Sequence, residues 1–158
     1  MNTTAFTIYD ASAGSGKTYT LTKEYLKILF LATNDDAYRK ILAITFTNKA
    51  VEEMKTRIVS SLYQFSLDNT SDKAMELLKD VASETKLSIA TLKDKSKAII
   101  KNIIHNYAAF DISTIDKFTH KVIRTFAQDL NLPPNFEVSL ETDSLLQEAI
   151  DLVISKAG

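Results

Sequence analysis

Ala11-Ser12-Ala13-Gly14-Ser15-Gly16-Lys17-Thr18 stands between a short apolar run and an amphipathic one. That arrangement reads as a phosphate-binding loop. A chain of phosphate oxygens needs several donors converging on a small concavity. Gly14 and Gly16 carry no Cβ, so the backbone can turn tightly and aim its N–H groups inward. The helix that follows adds its unpaired first-turn N–H groups and the positive end of its dipole. Lys17 is placed to reach the β- and γ-phosphates of a nucleoside triphosphate, and the Thr18 hydroxyl to hold Mg²⁺. Ala11 stands where the strict pattern has glycine, and its methyl group is compatible with a negative φ.

Outward from the loop, Phe6-Thr7-Ile8-Tyr9 alternates like a short buried strand, and Tyr19 to Ala32 carries Leu21, Tyr25, Ile28 and Leu29 at helical spacing. A Gly/Ser turn with an exposed lysine is the competing reading, and the flanking strand and helix patterns weigh against it. Asn34-Asp35-Asp36 ends the first helix, and Ile41 to Phe46 reads as a second buried strand. Asn48 is placed to cap a helix over 49–65 with Met54, Ile58 and Leu62 on one face. From Asp72 to Tyr107 two helical pieces follow. Ala74, Leu77, Leu78 and Val81 stripe the first; Leu92, Ile99, Ile100, Ile103, Ile104 and Tyr107 stripe the second. Phe110 to Thr114 is a third strand, and 115–130 a helix on Phe118, Val122 and Phe126. Leu132-Pro133-Pro134-Asn135 is a turn, and 142–156 a last amphipathic helix. This alternation predicts an α/β fold, a parallel sheet flanked by helices, with ligands beyond the carboxyl ends of its strands. Those ends carry the loop, Thr45 to Asn48, and Ser113 to Asp116.

The 158 residues suffice for one cored domain. A net charge of −1 offers no bulk field for nucleic acid, so any such contact must be local. With no cysteine, disulfides, thiolate catalysis and cysteine-ligated metal are excluded. No secretory leader pattern and no run of membrane-spanning length is present, so a soluble cytoplasmic protein is expected.

Three segments in order resemble motifs I, Ia and Ib of superfamily I helicases of the UvrD/RecB type. They are Ala11 to Thr18; Ile44-Thr45-Phe46-Thr47-Asn48-Lys49-Ala50 with Glu53-Met54 and Arg57-Ile58; and Ile112-Ser113-Thr114-Ile115 with Phe118. The likeness covers roughly residues 6 to 130 and is greater to the RecB/AddA branch of helicase–exonucleases. Only about ten residues precede the loop, where UvrD-like chains carry a glutamine motif. Tyr19-Thr20-Leu21 follows Gly-Lys-Thr, where they often carry arginine. The resemblance continues through Asn131-Leu132-Pro133-Pro134-Asn135-Phe136. Asp116 departs from the histidine of many relatives.

The resemblance implies a P-loop (RecA-like) fold present as an incomplete motor domain. Residues 1–130 would be the first part of an ATP-binding domain (1A), with a helical insertion at about 66–109. Residues 131–158 would begin a following helical subdomain (1B-like). It also implies ATP and Mg²⁺ as cofactors and a nucleotide site of Ala11 to Thr18 with Tyr19, Lys17 being its catalytic member. Contacts to single-stranded DNA or DNA ends are implied for Phe46, Thr47, Asn48, Ser113 and Thr114, with stacking on Phe46. A partner protein within a helicase–nuclease complex acting in recombination and DNA repair is implied as well. On residue chemistry alone, Phe46 serves equally as core and Asn48 as a plain cap.

Hydrolysis also needs an acidic strand end to hold Mg²⁺ and orient water. No apolar strand ending in Asp-Glu occurs, and Glu52-Glu53 lies inside a helical pattern. The chain is therefore expected to be the amino-terminal piece of a longer helicase, binding ATP without turning it over efficiently. A small nucleotide or metabolite kinase would use the same loop but needs an arginine-rich lid and an acidic base. A non-catalytic nucleotide-binding module is the third class. Lys86, Lys93, Lys95, Lys97 and Lys101 read as a solvated helix face in preference to a DNA track. Asp116 and His120 lie one helical turn apart, within pairing reach.

Overall fold

A computed structural model describes residues 6–9, 16–133, 135–137 and 142–157. The loop residues Ala11 to Ser15, and Pro134 of the proline turn, lie outside them. The chain divides into two compact units, Met1–Ile115 and Asp116–Gly158.

The first unit is mixed α/β and mostly helical. Helices α1 (Lys17–Leu31), α2 (Asn48–Ser66), α3 (Asp72–Thr85) and α4 (Ile89–His105) surround one core, with strands β1 (Ala43–Thr45) and β2 (Ile112–Thr114) beside it. The strands pair in parallel, Ala43 opposite Ile112, Ile44 opposite Ser113 and Thr45 opposite Thr114. Parallel pairing requires a crossover, and α2, α3 and α4 make it. α2 packs on both strands and on α4.

Each helix forms where its apolar period says. On α2, Val51, Ile58, Leu62 and Phe65 are buried and Met54 half-buried. On α3 the buried residues are Leu77, Leu78 and Val81; on α4 they are Leu92, Ile99 and Ile103. Phe30 meets Phe65 with ring centroids 6.4 Å apart, and Tyr25 stands edge-on to Phe110 at 5.9 Å. Tyr38, from the 3₁₀ turn after α1, is buried and donates its hydroxyl to the Asn102 carbonyl at 3.0 Å.

Several expectations are corrected. Phe6 to Tyr9 is not a strand: β1 and β2 bond to each other and this segment joins neither, leaving Phe6 79% and Ile8 76% exposed. The buried face of α1 is Thr22, Tyr25, Leu26, Leu29 and Phe30; Leu21 and Ile28 are exposed. Ile104 and Tyr107 are exposed too. The sheet is therefore no organising layer here, and helix-on-helix burial holds the unit together.

Of the five lysines in the basic stretch, Lys86, Lys97 and Lys101 are exposed, as a solvated face requires, but Lys93 and Lys95 are half-buried and engaged. Lys95 Nζ donates to the carbonyls of Phe30 (2.9 Å) and Ala32 (2.8 Å), at the end of α1. Lys93 Nζ donates to Leu67 (2.8 Å) and Asp68 (3.1 Å), just past α2. Two ammonium groups thus satisfy carbonyls that the helices leave unpaired at their negative ends.

The second unit holds α5 (Ile115–Thr125) and α6 (Thr142–Ala157). Past Thr125 the chain runs on in turns to Leu130, then stops at Asn131 with φ 55°. Leu132 N–H bonds to Ala127 C=O at 2.8 Å and Asn131 N–H to Gln128 C=O at 3.1 Å. These are the two bonds of a Schellman cap, and asparagine tolerates the left-handed position. Val122 and Phe126 are exposed, so the expected stripe is not a core. His120 packs edge-on against Phe136 at 5.3 Å, and among the described residues it makes no ion pair with Asp116, one turn away.

Lys95→Met keeps the aliphatic stem and removes the donors, leaving two part-buried carbonyls unpaired. Urea unfolding should show a loss of about 1–2 kcal/mol; no loss would show that water replaces the ammonium without cost. Glu84 of α3 gives a pH test. Hydrogen bonds from Lys23 and Lys27 hold its carboxyl below the ordinary value of 4.5. A depressed folded pKa means that its contribution is complete above 4.5 and disappears as pH falls through the lowered value. Stability measured from pH 7 to pH 2 should therefore fall less steeply in Glu84→Gln than in wild type.

Candidate functional site

The phosphate-loop reading rests, among the described residues, on how α1 begins. Gly16 is its N-cap with φ 81°, ψ 16°, a left-handed position that glycine alone enters freely. An added Cβ there would meet no atom within 4 Å, so the demand for glycine comes from the dihedral and not from crowding. The first bond of the helix runs from Thr20 N–H to Gly16 C=O at 2.9 Å, and no side chain caps the turn. The N–H groups of Lys17, Thr18 and Tyr19 therefore have no intrahelical acceptor. Lys17 is exposed and makes no ion pair among the described residues. Thr18 is half-buried, and its carbonyl accepts from the buried Thr22 hydroxyl at 2.7 Å. Positive dipole end, N–H donors without an intrahelical acceptor, ammonium and hydroxyl thus gather at one helix start.

Tyr19 turns toward α3. Its hydroxyl donates to Asp80 Oδ2 at 2.8 Å, and its pKa is pushed up to about 12, by desolvation first and then by the bond to Asp80 and that residue's charge. Below it, Lys23 reaches Glu84 Oε1 at 2.6 Å, and Lys27 reaches Glu84 Oε2 at 2.6 Å and Glu24 at 2.8 Å.

The other two polar segments meet at the strand ends. The register that sets Thr45 beside Thr114 brings the chain leaving β1 and the chain leaving β2 to one edge. Thr47, not Asn48, is the N-cap of α2, its hydroxyl accepting from Ala50 N–H at 3.1 Å. Threonine wins because its extended backbone (φ −125°, ψ 148°) aims Oγ1 into the first turn, while Asn48 is already helical. Phe46 is 83% exposed, which excludes it from the core of this unit; Asn48 is exposed. Ser113 is half-buried and donates to the Thr114 carbonyl at 3.0 Å, and the Thr114 side chain is buried. Glu53, rejected as a metal-orienting residue, lies on α2 and pairs with Arg57 at 2.8 Å.

Sequence reasoning missed two features. A cleft of about 400 Å³ opens between α1, α2 and α3, with Tyr19, Ser60, Ser61, Gln64, Lys73 and Leu77 among its lining. Lys55 Nζ sits 5.2 Å from the centre of the Tyr107 ring, within cation–π range. Helical spacing on α2 announces an outward polar face but not which element stands across from it.

The profile of the UvrD/REP helicase N-terminal domain family matches residues 3–157. Among curated proteins, the chain is similar to an ATP-dependent helicase/nuclease subunit of Lactobacillus acidophilus, 32% identical over 83% of this chain and 9% of that protein. It is similar to the protein of the same name from Streptococcus suis, 31% identical over 91% of this chain and 10% of the relative. The Staphylococcus carnosus protein of that name is 29% identical over 95% of this chain and 10% of its own length. The chain thus spans about a tenth of the relatives it matches. No solved structure matches. Among the described residues no helix is long and apolar enough to cross a membrane.

Because Phe46 lies outside the core, Phe46→Ala should change the unfolding free energy by no more than about 0.5 kcal/mol. Thr47→Ala, which removes the cap of α2, should cost about 1 kcal/mol. Urea unfolding of the two variants checks both, and the reverse order of effects would reassign the strand end.

Proposed function

Since the chain belongs to the UvrD/REP helicase N-terminal domain family, we propose that it is the ATP-binding amino-terminal part of an ATP-dependent DNA helicase/nuclease. The observation that carries the reading is the start of α1: a left-handed glycine cap, uncapped first-turn donors, and exposed Lys17 beside Thr18. These residues fit a nucleoside triphosphate with Mg²⁺. Ala11 to Gly16 would wrap the phosphates, Lys17 would neutralise the β- and γ-oxygens, and the Thr18 hydroxyl would ligate the ion, with Tyr19 at the rim of the site. Bound Mg²⁺ would supply charge neutralisation across the phosphates.

In the proposed domain plan, residues 1–130 begin a RecA-like domain with a helical insertion at 66–109, and 131–158 begin the next helical subdomain. Single-stranded DNA or a DNA end would pass the strand edge. Phe46 offers an exposed ring for stacking there, and Thr47, Asn48 and Ser113 offer polar groups to the backbone. Thr114, being buried, would serve that edge by seating β2. The whole protein would act in recombination and repair in the cytoplasm, coupling ATP hydrolysis to movement on DNA beside a partner protein. This chain alone would bind ATP and hydrolyse it near background, for want of an acidic strand end.

Titration with a fluorescent ATP analogue and Mg²⁺ tests the reading. Lys17→Ala removes a charge-assisted contact, and binding should weaken by about 1.5–3 kcal/mol. Equal affinity in wild type and variant would sink the phosphate-loop assignment. ATP turnover by this chain that vanishes in Lys17→Ala would reveal a carboxylate acting within these residues.

A further inference from the structure

Tyr19, Lys23 and Lys27 lie at i, i+4 and i+8, one stripe along α1. Asp80 and Glu84 lie at i and i+4 on α3, and the two rows interlock: Tyr19 with Asp80, Lys23 and Lys27 with Glu84. Lys27 also holds Glu24. Tyr19 lies three residues past Gly16. The helix that leaves the loop is therefore tied to one face of α3, through side chains 61 residues apart in sequence.

Apolar packing resists separation of two helices better than it resists rolling or sliding of one along the other. Directional polar contacts at two heights on one stripe remove that freedom. Lys17 precedes Tyr19 by two residues, about 200° of helix rotation. Fixing Tyr19 against α3 therefore turns Lys17 to the opposite side, where the structure leaves it exposed. Exposed ion pairs add little to global stability, so the consequence of this zipper lies in orientation.

We infer that α3 is a brace for the phosphate loop: Asp80 and Glu84 are positioning residues that set the rotation of α1, the helix that opens from the loop. Through them the helical segment over 66–109 modulates nucleotide affinity. The inference rests on the nucleotide-binding reading of the loop. By linkage, bound nucleotide tightens the α1–α3 contact as much as that contact tightens nucleotide binding.

The test is titration of this chain with the N-methylanthraniloyl derivative of ATP in Mg²⁺, with the melting temperature followed in parallel. Asp80→Ala and Tyr19→Phe should each weaken binding by about three- to tenfold with melting nearly unchanged. The double variant should be no weaker than either single one, because both remove the same contact. Asp80→Asn keeps an acceptor for the tyrosine hydroxyl and should recover most of the affinity, a rescue that a bulk packing role would not give. Amide exchange in α3 should slow on nucleotide addition in wild type and not in Tyr19→Phe. If Lys17→Ala weakens binding while Tyr19→Phe and Asp80→Ala both bind as wild type, the brace is wrong and the phosphate loop stands. If wild type does not bind the probe, or Lys17→Ala binds equally, both fail. Should Asp80→Ala not fold, Asp80→Leu decides, since it fills the same space and removes the acceptor while leaving Tyr19 in place.

Discussion

The burial of α2 is the constraint on which the first unit depends. Its stripe of Val51, Ile58, Leu62 and Phe65 packs on α4, reaches α1 and α3, and covers β1 and β2. Close packing in that core sets the relative heights of the helices. The heights decide which polar groups meet at the surface. Lys95 reaches the last carbonyls of α1 because Ile99 and Leu92 are already seated. Thr47 caps α2 where the strand ends, so the same helix closes the crossover and defines the edge carrying Phe46 and Ser113.

The polar contacts divide by consequence. Lys93 and Lys95 stand half-buried and donate to carbonyls at the ends of two other helices, so their role is in stability. The ion pairs of Glu84 and the Tyr19–Asp80 bond lie nearer solvent and stabilise little, yet they flank the start of α1. Small exposed interactions beside a binding loop bear on geometry, where a displacement of a fraction of an ångström alters charge-assisted contacts.

Apolar surface remains on the outer sides of these elements. Leu21, Ile28 and Leu31 on α1, Leu42 and Ile44 around β1, and Leu146, Val153 and Ile154 on α6 are all exposed. That distribution accompanies a chain matching about a tenth of its curated relatives. It also explains why hydrophobic periodicity misjudged α1. A two-sided apolar helix gives one periodic signal, and Thr22 rather than Leu21 proves to be on the buried side.

What the sequence determined by itself was local: helices near 19–32 and 49–65, two helical pieces within 72–107, strands within 41–46 and 110–114, the glycine-bounded start of α1, and the order of motifs that placed the chain in its family. Each depends on residues within a turn or two of one another, and short-range spacing records such relations faithfully. Tertiary structure alone decided that Phe6 to Tyr9 joins no ladder, that Thr47 rather than Asn48 caps α2, and that the α4 lysines close two other helices. It alone set Asp80 against Tyr19. A lysine's spacing on its own helix shows that it faces outward, and whether water or a neighbouring helix end meets it depends on the docking of elements far apart in the chain.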